Sequence, residues 1–474
     1  MKNKKFKILC LCAGLLLFPV FLTAKDPINI VFILADDQGW NAFSAQTDPD
    51  DPASKSDYYQ TPNTDRLIRE GMTFAQSYAP APVCSPTRHS IQWGISPAKT
   101  RVTHNNSQHK QFCEPELAMA NLIKKADERY VTAHFGKWHI SVPPEQCGYD
   151  ESDGDTANGE GSDSKDAEDP KRTSEVTDRA VEFLNRKAEA EQPFFMQVSY
   201  YANHLEFKSS QETLEKYKAL PPGKRHSDPI FAGMNEDLDT GFGRILDTLD
   251  RLGLSEETYV IYTGDNGFDE SPRELHGNPK RKAWPLSYSK GFVSEGGIRV
   301  PFIVRGPGVV AGSASRAPVV GYDVLPTVLN LINSNYALPK EVEGGSLVSV
   351  LENAGKGEVK RENEYMIFHY PTGVWPAQSA IIVDDYKLTK SWAYDRLELF
   401  DLRKDLSETK DISGSNPERA ERMHRLLMGY LDGVSAVKPT EDDLLIDRDG
   451  ELMKKYTGSA KKILESGKRR ETRN

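Results

Sequence analysis

Ile28-Asn29-Ile30-Val31-Phe32-Ile33-Leu34-Ala35-Asp36-Asp37 is a nearly unbroken apolar run that stops at two aspartates. A strand wet on one face alternates apolar and polar side chains. A run without that alternation has both faces covered, the condition of a central strand in a parallel sheet. In open α/β sheets, ligands collect beyond the carboxyl ends of the strands, so Asp36 and Asp37 stand where a site is expected.

Outward from this run, residues 73–78, 130–135, 193–200, 259–263 and 300–305 read as further strands. Residues 61–71, 116–126, 174–190, 230–252 and 322–332 read as helices, and one more is expected to start just after Cys84. Strands alternating with helices over this length imply an α/β fold with a doubly wound sheet. Segment 150–170 is rich in Asp, Glu, Gly and Ser, without the carboxylate spacing of a calcium loop, and reads as a solvated loop. From about residue 361 the pattern changes to short strands at 364–368, 379–383, 386–390 and 398–401, followed by a helix at 417–431. These predict a small antiparallel sheet in a C-terminal subdomain, 361–474, after a main domain of residues 25–360.

Residues 1–24 read as a signal peptide. Lys2, Lys4, Lys5 and Lys7 precede a short apolar run that ends near Leu22-Thr23-Ala24. The run is short for a membrane span and polar sequence follows it, so an exported protein without a stable membrane anchor is expected, periplasmic or secreted. Loss of those four lysines takes the formal charge from -10 to -14, which argues against nucleic acid as a partner. Cys84, Cys113 and Cys147 remain; the latter two either pair in an oxidising compartment or stay as buried thiols.

Four motifs carry the chemistry. They are Asp36-Asp37, Cys84-Ser85-Pro86-Thr87-Arg88, Gly136-Lys137-Trp138-His139, and Gly264-Asp265-Asn266-Gly267, with Lys290 preceding Glu295-Gly296-Gly297-Ile298-Arg299. Singly, each has an ordinary reading: a buried cysteine, a helix cap, a turn. Together and in this order they resemble the formylglycine-dependent sulfatases (type I) of the alkaline phosphatase superfamily, in the exported bacterial branch that acts on carbohydrates. The resemblance implies an alkaline-phosphatase-like large mixed sheet flanked by helices, with the smaller C-terminal sheet already inferred.

It also implies that a maturation enzyme oxidises Cys84 to formylglycine, whose hydrate is the nucleophile. Asp36, Asp37, Asp265, Asn266 and the modified Cys84 would ligate one calcium ion, and a ligand set of oxygens with three carboxylates suits a hard cation. Lys137 would bridge nucleophile and sulfate, His139 would take a proton from the hydrate, and Arg88 would hold it. Lys290 would contact the sulfate oxygens. Two residues apart on an extended segment, Lys137 and His139 share a face. His204 would protonate the leaving alcohol, with Lys290 as the alternative. Here Ala202-Asn203-His204-Leu205 lacks the proline frequent in the family, and Thr87 stands where serine is common.

The segment before Lys290 departs from the family's glycine-rich link. His276, Arg281 and Trp284, with His369 from the C-terminal part, are expected as a sugar-binding wall, against the plainer reading of a solvated loop. The function expected is hydrolysis of sulfate monoesters on a sulfated poly- or oligosaccharide. The alternatives are a phosphodiester or phosphonate monoester hydrolase of the same superfamily, and a non-catalytic binder of sulfated glycans.

Overall fold

The computed structural model describes residues 27–104, 110–270, 283–372, 375–440 and 443. The expected leader at 1–24 and the candidate residues His276 and Arg281 lie outside them. The main sheet is mixed and has eight strands in the described residues. In chain order the strands of the protein are β1 (Asn29–Ala35), β2 (Met72–Phe74), β3 (Ser77–Tyr78), β4 (Val131–Gly136), β5 (Glu151–Ser152), β6 (Phe194–Ser199), β7 (Thr258–Gly264), β8 (Phe302–Arg305), β9 (Ser313–Ser315) and β10 (Val319–Val320). Four more, β11 (Tyr365–Tyr370), β12 (Gln378–Val383), β13 (Tyr386–Ser391) and β14 (Arg396–Asp401), form a separate antiparallel sheet.

The main sheet runs β5-β4-β6-β1-β7-β8-β2-β9. Strands β5, β4, β6, β1 and β7 are mutually parallel, and β8 turns the sheet antiparallel against both β7 and β2. The central position expected for β1 is the one it occupies. Its residues Ile30, Phe32 and Leu34 enter one core and Val31, Ile33 and Ala35 the other, which is why the run shows no alternation. Helices Met119–Ala126 and Val324–Ile332 cover the first face; Thr173–Glu189 and Pro229–Arg251 cover the second.

The expected strand at 73–78 divides. Met72–Phe74 joins the main sheet, where the Ala75 N–H makes a last bond to the Ser315 carbonyl of β9 at 2.9 Å, and Ser77–Tyr78 pairs with β10 instead. Segment 150–170 is also more ordered than a solvated loop. It contributes edge strand β5, and Asp153 accepts from the Gly136 N–H at 2.6 Å.

Strands β11 to β14 form a meander whose two faces have different neighbours. Ile367, Ile381, Leu388 and Leu399 pack on the helix Pro417–Gly433 through Met423 and Leu427. Met366, Phe368, Ala380 and Ile382 pack on Tyr78, Val83 and Ile298 of the main domain, Val83 being the residue before Cys84. A buried ion cluster crosses the same boundary. Lys387 of β13 lies 2.9 Å from both Glu295 and Glu408, and Arg299 holds the other Glu295 oxygen at 2.7 Å.

Lys387→Met leaves buried Glu408 without a cation and Glu295 with Arg299 alone. It is expected to lower the unfolding free energy by about 3–5 kcal/mol, measured by chemical denaturation against the wild type.

Candidate active site at the carboxyl ends of the parallel strands

Strand register assembles the site. Gly136 of β4 lies opposite Ser199 of β6, Leu34 of β1 opposite Ser199, and Ala35 of β1 opposite Gly264 of β7. The strand ends are therefore level, and the next residues, Lys137, Asp36 and Asp265, emerge on one edge. At Asp37 the chain turns with φ 51°, a left-handed conformation that aspartate tolerates better than most residues. The Asp37 N–H then donates to Asp265 Oδ1 at 3.1 Å.

Cys84 is the first residue of the helix Cys84–Trp93, every residue of which is buried. It therefore sits at the positive end of the helix dipole. Cys84, Asp36 and Asp265 each bring a potential ligand atom within 4.8 Å of the others. Cations fill the gaps between the acids. Lys137 Nζ donates to Asp36 Oδ2 at 2.5 Å, Arg88 Nε to Asp265 Oδ2 at 2.9 Å, and Lys290 Nζ to Asp37 Oδ2 at 2.8 Å. Lys290 also lies 3.5 Å from Asp269. Asn266 Nδ2 donates to Asp37 Oδ1 at 2.7 Å.

Two buried oxygens in this cluster accept no hydrogen bond from the described residues: Asp36 Oδ1 and Asn266 Oδ1. Buried acceptors without donors are rare and costly. Two of them beside three carboxylates fit a hard cation, which needs lone pairs and no protons.

The charges bear on one another strongly. Burial pushes Asp37 up to about 8, with Asp36, Asp269 and Asp265 adding to the effect against Lys290. Burial likewise raises Asp265, with Asp36 adding. Burial opposes the charge on Asp36 too, but Lys137, His204, Arg88 and Lys290 hold its carboxyl well below the usual range. Burial raises the Cys84 thiol, with Asp36 and Asp265 opposing the pull of Lys137 and Lys290. The unmodified side chain is thus a protonated thiol at neutral pH, a poor nucleophile. His139 Nδ1 lies 3.4 Å from Cys84 Sγ, and burial with Lys137 and Arg88 lowers its pKa to about 3. His204 is lowered to about 2 by burial, Lys290 and Lys137, and its Nδ1 bonds the Leu205 carbonyl at 2.6 Å.

The structure thus brings Cys84, Arg88, Lys137, His139 and Lys290 together with Asp36, Asp37, Asp265 and Asn266, and places His204 within electrostatic reach of them. Trp284 is 37% exposed and its carbonyl accepts from Asn41 at 3.0 Å. His369 is a correction. It is 1% exposed on β11, with Nδ1 bound to Ser379 Oγ and Nε2 bound to the Val437 carbonyl, both at 2.7 Å, so neither nitrogen is left for a ligand. Cys113 and Cys147 are both buried free thiols.

Some supporting residues carried no sequence signal. Thr156, in the acidic segment, accepts from the Trp138 N–H at 2.9 Å and, through its carbonyl, from the His139 N–H at 2.7 Å. Asn235, on the helix Pro229–Arg251, accepts from Gln38 at 2.8 Å and Asn203 at 2.9 Å, and donates to the Ala42 carbonyl at 2.8 Å. It ties the turn after Asp37 to the turn before His204. Lys171 lies 3% exposed beside the same turn. A lone Asn on an amphipathic helix has no spacing pattern that would have marked it.

The sulfatase family model matches residues 28–334, and the model described as N-sulphoglucosamine sulphohydrolase, C-terminal, matches residues 285–431. A sulfatase of Formosa agariphila is 27% identical, with 90% of this chain and 94% of that protein aligned. An ulvan-active sulfatase of the same bacterium is 28% identical over 69% of this chain and 65% of its own length. Among solved structures, Ps i-CgsB superposes with a TM-score of 0.71 at 20% identity, covering 92% of this chain and 96% of its own.

Asn235→Leu leaves the buried Gln38 and Asn203 amides without an acceptor. It is expected to cost at least about 2 kcal/mol of stability, read by thermal unfolding.

Proposed function

The chain belongs to the sulfatase family and is a sulfuric ester hydrolase, and from that premise we propose that it hydrolyses sulfate monoesters on a poly- or oligosaccharide, with Cys84 matured to formylglycine beside one calcium ion. The observation that carries this reading is the pair of buried, undonated oxygens, Asp36 Oδ1 and Asn266 Oδ1, at the Asp36, Cys84 and Asp265 cluster. Asp36, Asp37, Asp265, Asn266 and residue 84 would hold the ion. A divalent cation there neutralises charge on the sulfuryl oxygens. Formylglycine at residue 84 would supply a hydrated aldehyde as nucleophile.

The remaining roles fall to side chains already in place. His139 is neutral and adjacent to residue 84, positioned to take a proton there. Lys137 and Lys290 hold two ammonium groups among the acids, where an anionic ester would sit against them. Arg88, through its bonds to Asp265 and to the Lys137 carbonyl at 2.5 Å, fixes the spacing between helix and strands. His204 keeps Nδ1 on the Leu205 carbonyl and so offers Nε2 to a leaving oxygen. Burial, Lys290 and Lys137 keep it neutral at rest. An anionic ester bound among those lysines offsets their field and favours the protonated form that an acid requires.

The leader and the ulvan-active relative support a carbohydrate substrate and an exported enzyme, periplasmic or secreted. Among the described residues no helix is long and apolar enough to cross a membrane. A maturation enzyme is the implied partner.

With formylglycine at residue 84 confirmed by mass spectrometry, turnover of 4-methylumbelliferyl sulfate is expected to exceed that of the corresponding phosphate monoester and methylphosphonate ester. The reverse order would establish the phosphonate hydrolase reading, and no turnover of either the aryl sulfate or sugar sulfates the binder reading. His204→Ala is expected to cut kcat/KM on a sugar sulfate by about 10²–10⁴-fold, and far less on the aryl sulfate, whose phenolate leaves without a proton. Calcium at a hundred times its Kd is expected to stabilise the protein by about 2.7 kcal/mol, seen as a Tm rise that Asp37→Asn abolishes.

A further inference from the structure

Lys171 is buried to 3% exposure, and its ammonium makes one hydrogen bond, to the Glu206 carbonyl at 3.2 Å. Glu206 lies two residues beyond His204, so the ammonium reaches the turn that would face a leaving alcohol. The other buried cations of the site each have a carboxylate: Arg88 has Asp265, Lys137 has Asp36, and Lys290 has Asp37 and Asp269. Lys171 has none among the described residues. Lys171 also lines a cavity of about 300 Å³ together with Glu168, Asp169, Glu236 and Asp237. The charges that act most strongly on its ammonium are Asp36, Lys137, Asp37 and Lys208, three of them in the catalytic cluster, and its hydrogen bond to Glu206 ties it to the turn that carries His204. Burial lowers its pKa to about 8, as expected of an ammonium that lacks an anionic partner.

A buried ammonium with unused N–H donors at the edge of an ester site is built for an anion that arrives with the substrate. We propose that Lys171 is a specificity-determining residue that binds a second anionic group, sulfate or carboxylate, on the saccharide that carries the scissile sulfate. This rests on the sulfatase reading above and names the substrate class within it: saccharides with at least two acidic groups.

The test is competitive inhibition of 4-methylumbelliferyl sulfate turnover by three probes. These are N-acetylgalactosamine 6-sulfate, its 4,6-disulfate, and the disaccharide of glucuronate with N-acetylgalactosamine 6-sulfate. In wild type, one of the doubly anionic probes is expected to bind about tenfold or more tighter than the monosulfate, and the arm that does so separates sulfate from carboxylate. Lys171→Met is expected to bring that ratio below about threefold, and Lys171→Arg, which keeps the charge, to preserve most of it. A wild-type ratio near one in both arms would overturn the proposal. So would a ratio unchanged in Lys171→Met, or an equal weakening of all three probes in both variants. Matured wild type that turns over neither the aryl sulfate nor any of the three sugar sulfates would instead remove the sulfatase reading, and this proposal with it.

Discussion

Three carboxylates, Asp36, Asp37 and Asp265, are each fully buried within bonding distance of a buried cation. Taking such charges out of water costs several kcal/mol per ion, and the cost is met only when partners are held in good geometry. The rest of the architecture can be understood as the means of holding them. Asp36 and Asp265 come from neighbouring parallel strands in one register, so their separation is set by the sheet. The cations arrive from a helix, a strand end and a loop, and each would be misplaced by a one-residue slip.

Bracing extends outward in layers. The Thr156 contacts fix Lys137 and His139 from outside the sheet edge. Asn235 joins the two turns that flank the acids. On the other side, the segment that carries Lys290 folds tightly on itself. The Gly267 N–H donates to the Gly297 carbonyl at 2.9 Å, and a Cβ on Gly267 would stand 1.9 Å from the Gly296 carbonyl oxygen. The C-terminal sheet then closes over this segment through Glu295 and Lys387. It is thus part of the support of the site as well as an appended unit.

Much of this was legible in the chain because two kinds of signal are local. Nearly unbroken apolar runs such as residues 28–35 reveal central strands, since few polar residues are tolerated with both faces covered. Short motifs such as Cys84-Ser85-Pro86-Thr87-Arg88 bind several chemical roles to fixed spacing. His369 was misplaced for the opposite reason. A histidine within a strand carries no mark of whether its nitrogens meet solvent or, as here, Ser379 and a carbonyl 68 residues away. Asn235 and Lys171 were invisible because their partners are distant in sequence and their own surroundings are ordinary.

The order of strands and helices, the acids at strand ends and the family were set by the amino-acid sequence read alone, because each depends on neighbours along the chain. The pairing of cations with acids, the two oxygens without a donor among the described residues, the engagement of His369 and the burial of the Lys171 ammonium were decided by the tertiary structure. Those depend on which side chains share a volume from which water is excluded, and that volume exists only once β1, β4, β6 and β7 lie side by side.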